Sequence, residues 1–537
     1  MSQGMQTGMQ NSMSQDLPQD FSGVQRIVLH GSKWAAAGHL MLSFKGKSPL
    51  RFLHRLRDTK HSAWPTAARE EKPGLQFSLG FTRRGLEHGF VPDQVLSCLA
   101  LKAPAFWAGA TLRGASRLGL TGPSAPECWD APYAELSLHA VLSIHATDEG
   151  KLGDTVERLL QLAEEEGLAC KELLPAPRAL LAPPADATTA SDLPLVPPDD
   201  DSGQWVHFGY RDGLSRIAIK GWTRADEAKQ CLPISTHAAG EFVLGHPQDS
   251  GARPWIAGPR QRVWPDQVRA FFHNGSFGVL QQIEQHVAAF EAFVQKQSRE
   301  ARLSTVAIKG KLCGRYPDGR SLAKPAEAPR SDDFDYGADP QGLECPFGSH
   351  VRRMNPRPPP PELLKSLAEA RAAAEAAAGA KPEPETPEGL AHFSRSRPLL
   401  RRGMPYGSAA WSPQEGEPKV PDGPQDPQGP ERGLIGQFFC ASIEDQYEHL
   451  VGEWADRVPM GSPDGGGARD PLIGAHERGD GLFEIPRKPP EQALRLDALP
   501  PFTTTRGVAY LFYPSLQTLE GIADSSLWGL GDEDDDE

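Results

Sequence analysis

Several features are scarce in this 537-residue chain. No apolar run approaches the roughly 18 residues that a transmembrane helix needs, so the sequence predicts no membrane association. The seven cysteines are scattered and never form a CxxC pair, which argues against a disulfide framework or a zinc knuckle. Lys and Arg number 56 against 70 Asp and Glu, and the resulting net charge of −14 disfavours nucleic acid as a partner. The N-terminus lacks a basic start and an apolar segment, so we expect a cytoplasmic protein.

Glycine and proline, in contrast, are abundant. The chain holds 54 Gly and 51 Pro, roughly a fifth of its residues against a usual share of about 12 %. This composition predicts long loops and few long helices. It also marks the boundaries of the predicted units, which are a disordered arm (1–20), an N-terminal domain (21–173), a Pro-rich connection (174–203), a C-terminal domain (204–520) with a low-complexity insertion (358–391), and an acidic tail (521–537).

Hydrophobic patterning indicates that strands and helices alternate in both domains. The predicted strands are 24–29, 40–44, 135–145, 217–219 and 242–244, and the predicted helices are 95–100, 152–166 and 277–297. The last helix rests on a stripe of apolar residues that begins at Val279 and ends at Phe293. We therefore predict an α+β protein with two halves of similar content.

Two short segments concentrate residues that could carry chemistry. CPFGSHVRRMNPR (345–357) surrounds His350 with arginines, which favour the neutral imidazole that can bind a metal. GYRDG (209–213) holds Asp212 between two glycines, where the backbone can turn sharply. Taken singly, each has a plainer interpretation: a surface or core histidine, and an ordinary turn.

Together with other blocks, these segments resemble the dye-decolorizing (DyP-type) haem peroxidases. In order along the chain, the blocks are GYRDG at 209, GEFVLG at 240, NGSF at 274, CPFGSHVRRMNPR at 345, RRGMPYG at 401 and GLIGQFFCASIEDQYEHL at 433. VQRIVLHG, FSLGFTRRGL, RLGLTGPSAPECW and ELSLHAVLSIHA look like the first domain of that family. The resemblance covers most of 21–357 and 392–516, and the long insertion and connection suggest its larger, loop-expanded branch.

This resemblance implies two ferredoxin-like halves of the dimeric α+β barrel-like superfamily, with haem b held mainly in the C-terminal half. His350 would be the proximal iron ligand, and an acceptor on its other ring nitrogen would raise its basicity. Glu444 is the predicted acceptor, with Asp445 as the alternative. Asp212 would be the distal acid and Arg401 the distal arginine. Arg395 and Arg402 compete with Arg401 for that role, because the insertion lengthens the spacing from His350.

Other residues match family blocks less specifically. Asn274, Ser276 and Phe277 would line or support the haem pocket, and Phe438 and Phe439 could pack against the ring, although plain core positions are equally expected for these aromatics. The arginines that follow His350 could pair with haem propionates or form structural ion pairs. They are Arg352, Arg353 and Arg357. Surface Trp205, Tyr210, Trp264 and Tyr406 lie near motifs and could relay electrons, without a reason to choose among them.

The resemblance thus implies a peroxidase that reduces hydrogen peroxide to water and oxidises dyes, phenolics or other organic donors through a ferryl intermediate. The implied partners are peroxide and small reductants, with a homo-oligomer possible and no nucleic acid or membrane. Docking of the acidic tail into a protein nanocompartment is disfavoured against a solvated tail. The alternative function is a non-enzymatic haem-binding or iron-release protein of the same fold. Since an aspartate accepts protons best in mildly acidic water, Asp212 implies an acidic optimum for dye oxidation.

Overall fold

The computed structural model describes most of the chain outside the Pro-rich and low-complexity segments. The described residues are 20–31, 34–45, 48–58, 63–68, 74–88, 91–134, 137–172, 204–215, 217–224, 235–252, 255, 265–325, 328, 332, 334–355, 397–407, 431–456, 469–476 and 481–524. The predicted arm, except for Asp20, the connection 174–203 and the insertion 358–391 lie outside them, as do Cys231, Trp264, Arg357 and Arg395.

The described residues form fifteen strands, thirteen α-helices and one π-helix, which is numbered with the α-helices as α13. The strands are β1 (Ala36–Ser43), β2 (Leu75–Phe81), β3 (Ala140–Ala146), β4 (Ala169–Glu172), β5 (Gln204–Trp205), β6 (Arg211–Asp212), β7 (Ala218–Ile219), β8 (Thr236–His237), β9 (Ser276–Gln285), β10 (Leu400–Arg401), β11 (Met404–Tyr406), β12 (Gly433–Cys440), β13 (Gly481–Ile485), β14 (Leu494–Leu499) and β15 (Thr503–Tyr513). The helices are α1 (Arg26–Leu29), α2 (Ser48–Arg57), α3 (Arg83–Glu87), α4 (Asp93–Lys102), α5 (Pro104–Ala108), α6 (Ala110–Arg117), α7 (Ala131–Ala134), α8 (Glu149–Glu165), α9 (Asp266–Phe272), α10 (Val287–Ala301), α11 (Thr305–Cys313), α12 (His350–Met354), α13 (Ile443–Ala455) and α14 (Leu516–Ala523).

One antiparallel sheet contains strands from both predicted halves. Its order is β10, β12, β9, β15, β2, β3, β1 and β4, and β11 also pairs with β12. The two halves meet where β15 pairs with β2, at Phe512 and Phe81. Helices lie outside this sheet, so the predicted α+β class is confirmed.

The sheet curls so that distant strands face each other. Gln437 of β12 donates from Nε2 to Ser143 Oγ of β3 over 3.0 Å, although three strands separate β12 from β3 in the sheet. One face of the sheet is therefore enclosed, and the helices cover the opposite face. This arrangement is barrel-like, as the resemblance implied.

The main hydrophobic core lies between the outer face and the helices. Phe277 of β9 packs against Phe106 of α5 at 5.3 Å, and Phe271 of α9 stacks on Phe512 at 5.4 Å. Because these contacts join segments from both halves, the core is shared rather than divided. A second cluster packs α10 and α11 against the β13–β14 hairpin.

Helix α13 is wider than an ordinary α-helix, because its backbone follows the i→i+5 pattern of a π-helix over thirteen residues. It begins after Ser442, whose Oγ accepts the Asp445 N–H over 3.1 Å. π-helices are rare and usually short, and they often occur at functional sites.

Several predicted elements are confirmed and three are wrong. Segments 40–44, 95–100, 135–145, 152–166 and 217–219 fall on β1, α4, β3, α8 and β7. In contrast, 24–29 contains helix α1, 242–244 is a turn after a short 3₁₀ helix, and 277–297 divides into strand β9 and helix α10. β9 is central and nearly all buried, so its apolar residues do not alternate.

At the C-terminus, α14 continues to Ala523 with its last residues buried, so the ordered structure passes the predicted start of the tail at 521. The rest of the tail lies outside the described residues. The other domain boundaries stay a prediction. Within the described residues, no helix combines the length and the apolar character needed to cross a membrane.

Candidate functional site

His350 is the first residue of α12, and a buried carboxylate orients its ring. Its Nδ1 lies 2.9 Å from Asp470 Oδ2. Asp470 is fully buried, whereas 25 % of the His350 side chain is exposed. A carboxylate only accepts, so Nδ1 carries a proton, and in the neutral imidazole Nε2 keeps its lone pair. Among the described residues no hydrogen bond to Nε2 is found, which leaves that nitrogen available to a ligand.

Asp470 is held in its ionised form by several groups. Burial by itself raises the pKa of Asp470, but His350, Arg353 and the Leu472 amide together outweigh that effect and place the pKa below the usual range. Oδ1 also accepts the Ile473 amide N–H over 3.1 Å. The pair therefore has the chemistry of a metal-binding imidazole with an anionic partner.

The predicted acceptors for His350 are wrong. Glu444 accepts from Arg113 instead, at 3.2 Å, and Asp445 accepts from the Ser442 hydroxyl at the start of α13. Asp470 lies 120 residues from His350 in sequence, in the segment DPLIG, outside the motif blocks quoted for the family resemblance. The available signal was an acid just before Pro471 and three residues after the glycine run 465–467.

Arg352 and Arg353 have structural roles, the alternative that the sequence left open. Arg352 is buried, donates to Asp339 and to the Cys345 carbonyl, and its guanidinium lies 4.4 Å from the centres of both the Tyr336 and the Phe347 rings. The Nη2 atom also donates to the Asp339 carbonyl over 2.9 Å, so both terminal nitrogens are occupied and a propionate role for Arg352 does not fit.

Arg353 lies on the next position of α12 and binds the far end of α13. Its Nη1 donates to the carbonyls of Trp454 and Ala455 over 2.9 and 3.0 Å. These are carbonyls that a helix C-terminus leaves without partners. Arg353 therefore fixes the helix that begins with His350 against α13.

Arg401 is an exposed residue on the face of the sheet opposite the enclosed one. It is exposed and pairs in register with Phe438, which in turn pairs with Val279. Paired residues share a face, so Arg401, Phe438 and Leu434 lie on one side, and Phe438 and Leu434 are only partly buried there. The Phe438 ring lies 5.3 Å from the Tyr447 ring of α13. This is the face that α13 covers.

Arg402 is not available for the distal role. It points to the opposite side and donates to the carbonyls of Ile27, Val28 and Arg401 at 2.9 to 3.1 Å. Burial lowers the pKa of Arg402 to about 10, and the neighbouring Arg401 contributes to the same shift. Its contacts close the C-terminal end of α1 and hold the backbone beside Arg401.

Asp212 is half-buried in β6, and the turn that presents it needs its glycines. Gly209 and Gly213 have φ values of 79° and 76°, the left-handed region that glycine adopts without strain. β6 pairs with β5, so that Asp212 is opposite Gln204. The predicted sharp turn at GYRDG is thus confirmed, while the chemical role of Asp212 stays a prediction.

The remaining candidates belong to the packed interior. Asn274 bonds His246 through Oδ1 at 2.7 Å and the Asp20 carbonyl through Nδ2 at 3.0 Å. Ser276 donates to a neighbouring backbone carbonyl, and Phe277 and Phe439 are buried against other aromatic rings. None of these contacts involves His350, so for the two aromatics the core interpretation holds.

Although Asp212, Arg401 and His350 do not touch one another, shared neighbours arrange them around one region. Tyr210, in the Asp212 turn, donates to the Lys309 carbonyl of α11, and Ser349, beside His350, donates to the Lys311 carbonyl of the same helix. His207 Nε2 lies 2.8 Å from the Tyr406 carbonyl of β11, in the strand that follows β10.

Comparison with known proteins agrees with this arrangement. No family model matches the chain. It is 26 % identical over 439 residues to the multifunctional dye peroxidase DyP2 of an Amycolatopsis species, covering 79 % of this chain and 83 % of that protein. It is 24 % identical over 349 residues to the dye-decolorizing peroxidase AauDyP1 of Auricularia auricula-judae, covering 61 % of this chain and 57 % of that protein.

Solved structures show the same fold. A DyP-type peroxidase from an Anabaena species superposes with a TM-score of 0.65 at 18 % identity over 94 % of both chains. The structure of Amycolatopsis DyP2 gives 0.66 at 21 % identity, covering 93 % of this chain and 96 % of that one. The ordered sequence blocks, the curled antiparallel sheet and these relatives agree with one another: the chain is similar in sequence to dye-decolorizing peroxidases and has the fold of DyP-type peroxidases.

Proposed function

We propose that this protein is a haem b peroxidase that reduces hydrogen peroxide to water and oxidises dyes, phenolics or similar organic donors. The observation that carries the proposal is the His350–Asp470 pair, in which a buried carboxylate holds Nδ1 and leaves Nε2 for an iron. The named relatives are peroxidases that act on dyes. Bound haem would supply the redox chemistry between peroxide and donor.

The residues present fit a haem. A single imidazole with a free nitrogen would be enough to hold a haem iron, because the porphyrin would supply the remaining nitrogen ligands. Within the described part of the chain, no group of three or more His, Cys, Asp or Glu side chains could hold a metal by itself. His350 would bind the iron, and the partly buried Phe438 and Leu434 give the region an apolar wall.

Asp212 and Arg401 complete the chemistry on the peroxide side. Cleavage of the O–O bond to give water needs a proton moved from the inner to the outer peroxide oxygen, and the Asp212 carboxylate would carry it, directly or through a water. The departing oxygen gains negative charge as the bond breaks, and the Arg401 guanidinium would stabilise that charge. Arg401 is exposed and shares its face with Phe438, which supports this role.

The alternative, haem binding without turnover, needs His350 and a pocket only. A carboxylate placed by a turn with two positive-φ glycines and an exposed arginine on the sheet have no purpose in simple ligation. These residues favour the enzyme. We further propose a cytoplasmic location and leave a homo-oligomer as a prediction, which cell fractionation and light scattering can test.

The test compares haem-loaded Asp212→Asn with the unchanged protein and with Asp93→Asn, an exposed acid at the start of α4. We expect the same Soret band in all three proteins, because none of the substitutions touches His350. Peroxide-dependent dye oxidation should fall by about 10²–10⁴-fold in Asp212→Asn alone. Equal turnover in all three would exclude the proton-transfer role, and failure of the protein to bind hemin specifically would exclude the peroxidase.

A further inference from the structure

The enclosed face of the sheet carries a group of polar side chains. His39 of β1, Ser143 of β3 and Ser78 of β2 occupy one register row. His145 of β3 and Gln76 of β2 occupy the next row on the same face. An interior sheet face of this kind is normally apolar, so five polar residues side by side require an explanation.

These residues are completely enclosed, and three of them lack partners. Gln76, Ser78 and Ser143 have no exposed surface, and His39 and His145 expose 2 % each. Gln76 Nε2 and Oε1, Ser78 Oγ and His145 Nδ1 make no hydrogen bond to protein. Since buried polar groups in native proteins are nearly always hydrogen-bonded, these four atoms indicate a bound molecule.

The opposite wall comes from the C-terminal half of the chain. Gln437 of β12 donates to Ser143 Oγ over 3.0 Å, and Ser143 Oγ also lies 2.8 Å from His39 Nδ1. At one end, Trp34, Ala37 and Met404 pack together. The polar group is therefore bounded on both sides by sheet and at that end by an apolar cluster.

The donors and acceptors define the chemistry of the bound molecule. The free Gln76 amide offers both a donor and an acceptor, as does a serine hydroxyl, so the ligand must both give and receive hydrogen bonds. Burial keeps both imidazoles neutral: it lowers the pKa of His39 to about 3, with a contribution from His145, and that of His145 to about 4. None of the five side chains is a carboxylate, ammonium or guanidinium, so an ion would find no counter-charge among them.

We propose that Gln76, Ser78 and His145 bind ordered water molecules between the two halves of the curled sheet. These waters extend the direct chain from Gln437 through Ser143 to His39. The site is separate from the proposed haem region, because Gln437 points to the enclosed face and its neighbour Phe438 points to the opposite one. The proposal does not depend on the peroxidase function.

A crystal structure of the full chain at about 1.5 Å resolution or better tests the site directly. We expect ordered water within 2.6–3.2 Å of the Gln76 amide, Ser78 Oγ and His145 Nδ1. Well-defined side chains without water beside any of the three would overturn the proposal. This measurement needs neither peroxide nor a dye, so its outcome is independent of the peroxidase assay.

Thermal unfolding of paired variants gives a second test. If water satisfies Gln76, then Gln76→Leu should lower the midpoint by about 1–3 °C. If the site is dry, the same change removes an unsatisfied amide and should raise the midpoint. Gln161→Leu, exposed on α8, should shift it little, whereas Gln25→Leu should lower it more, because Gln25 makes three direct hydrogen bonds to backbone.

Ser78→Ala covers the case in which Gln76→Leu does not fold. It removes a single hydroxyl with little change of volume. We expect a lower midpoint and the loss of the water next to Ser78 in the crystal. A higher midpoint in Ser78→Ala would contradict the proposal.

Discussion

A histidine becomes a useful ligand through what holds its other nitrogen. Here the 2.9 Å contact from His350 to Asp470 fixes the tautomer, and full burial of Asp470 keeps water from competing for the bond. A carboxylate partner gives the ring more anionic character than a neutral acceptor would, and in the proposed haem site this would stabilise a more oxidised iron.

Replacing that carboxylate should change the iron rather than the fold of the site. In haem-loaded Asp470→Asn we expect the Fe(III)/Fe(II) potential to rise by tens of millivolts, because the negative charge next to His350 is replaced by a neutral amide. Spectroelectrochemical titration measures the potential. Glu444→Gln is the matched control, since Glu444 pairs with Arg113 instead. A shift in the control and none in Asp470→Asn would contradict the assignment.

At the scale of single residues, the sequence indicates features that depend on neighbouring residues, but it does not reveal contacts between residues far apart in the chain. His350 and the glycines around Asp212 stand out because their neighbours in sequence set their environment. Asp470 meets His350 only through the fold, across 120 residues. Arg352 could not be assigned either, since its partner Asp339 and the ring of Tyr336 lie in a different segment.

At the scale of elements, two helices of very different length support the site. α12 is a single turn, and its orientation depends on Arg353, which binds the last carbonyls of α13. α13 also contacts the sheet, where Tyr447 donates to Gln281 over 2.8 Å and Tyr510 donates to Glu448 over 2.8 Å. α13 thus connects α12 to the sheet and determines where His350 lies relative to it.

Breaking the link between α12 and α13 should therefore destabilise the protein before haem is added. We expect Arg353→Met to lower the free energy of unfolding of the haem-free chain by about 2–3 kcal/mol, because two buried carbonyls lose a charged donor. Urea unfolding measures this change. Arg299→Met, an exposed position on α10, should have no comparable effect.

The two possible roles of Arg353 predict different results. If Arg353 instead served a haem propionate, the substitution would weaken hemin binding and leave the haem-free chain as stable as before. That outcome would contradict the structural role described here.

The wrong prediction of a single helix over 277–297 has a physical cause. The 277–297 segment has apolar residues at helical spacing, but its first part is the central strand β9, which is buried along most of its length and has apolar residues on both faces. In the first half of that segment, the apolar residues of a buried strand therefore have a spacing that resembles the periodicity of a helix. Only the part from Val287 onward is a helix.

At the scale of the whole molecule, two histidines on the enclosed face of the sheet stay neutral in the folded state. Burial lowers the pKa of His39 to about 3 and of His145 to about 4, against about 6.5 for an unfolded chain. Below pH 6.5 the unfolded chain binds protons that the folded chain does not. Folding stability therefore decreases as the pH falls from about 6.5 to about 4.

We expect each of these two groups to contribute a slope of about 1.4 kcal/mol per pH unit within that window. Urea unfolding at a series of pH values measures it. The double variant His39→Gln, His145→Gln should give a shallower slope, whereas His54→Gln, at an exposed position on α2, should leave the slope unchanged. Equal slopes in all three proteins would contradict neutral burial. If the slope is as expected, unfolding at low pH would limit the acidic optimum of turnover on its acid side.

The pairing of β15 with β2 has a consequence for how the protein behaves on dilution. It joins strands that come from opposite ends of the chain, Leu75–Phe81 and Thr503–Tyr513. If two separate chains met at such an edge, mass action would separate them at low concentration. Within one chain the two edges meet at an effective concentration set by the covalent connection, so dilution leaves the enclosed face closed.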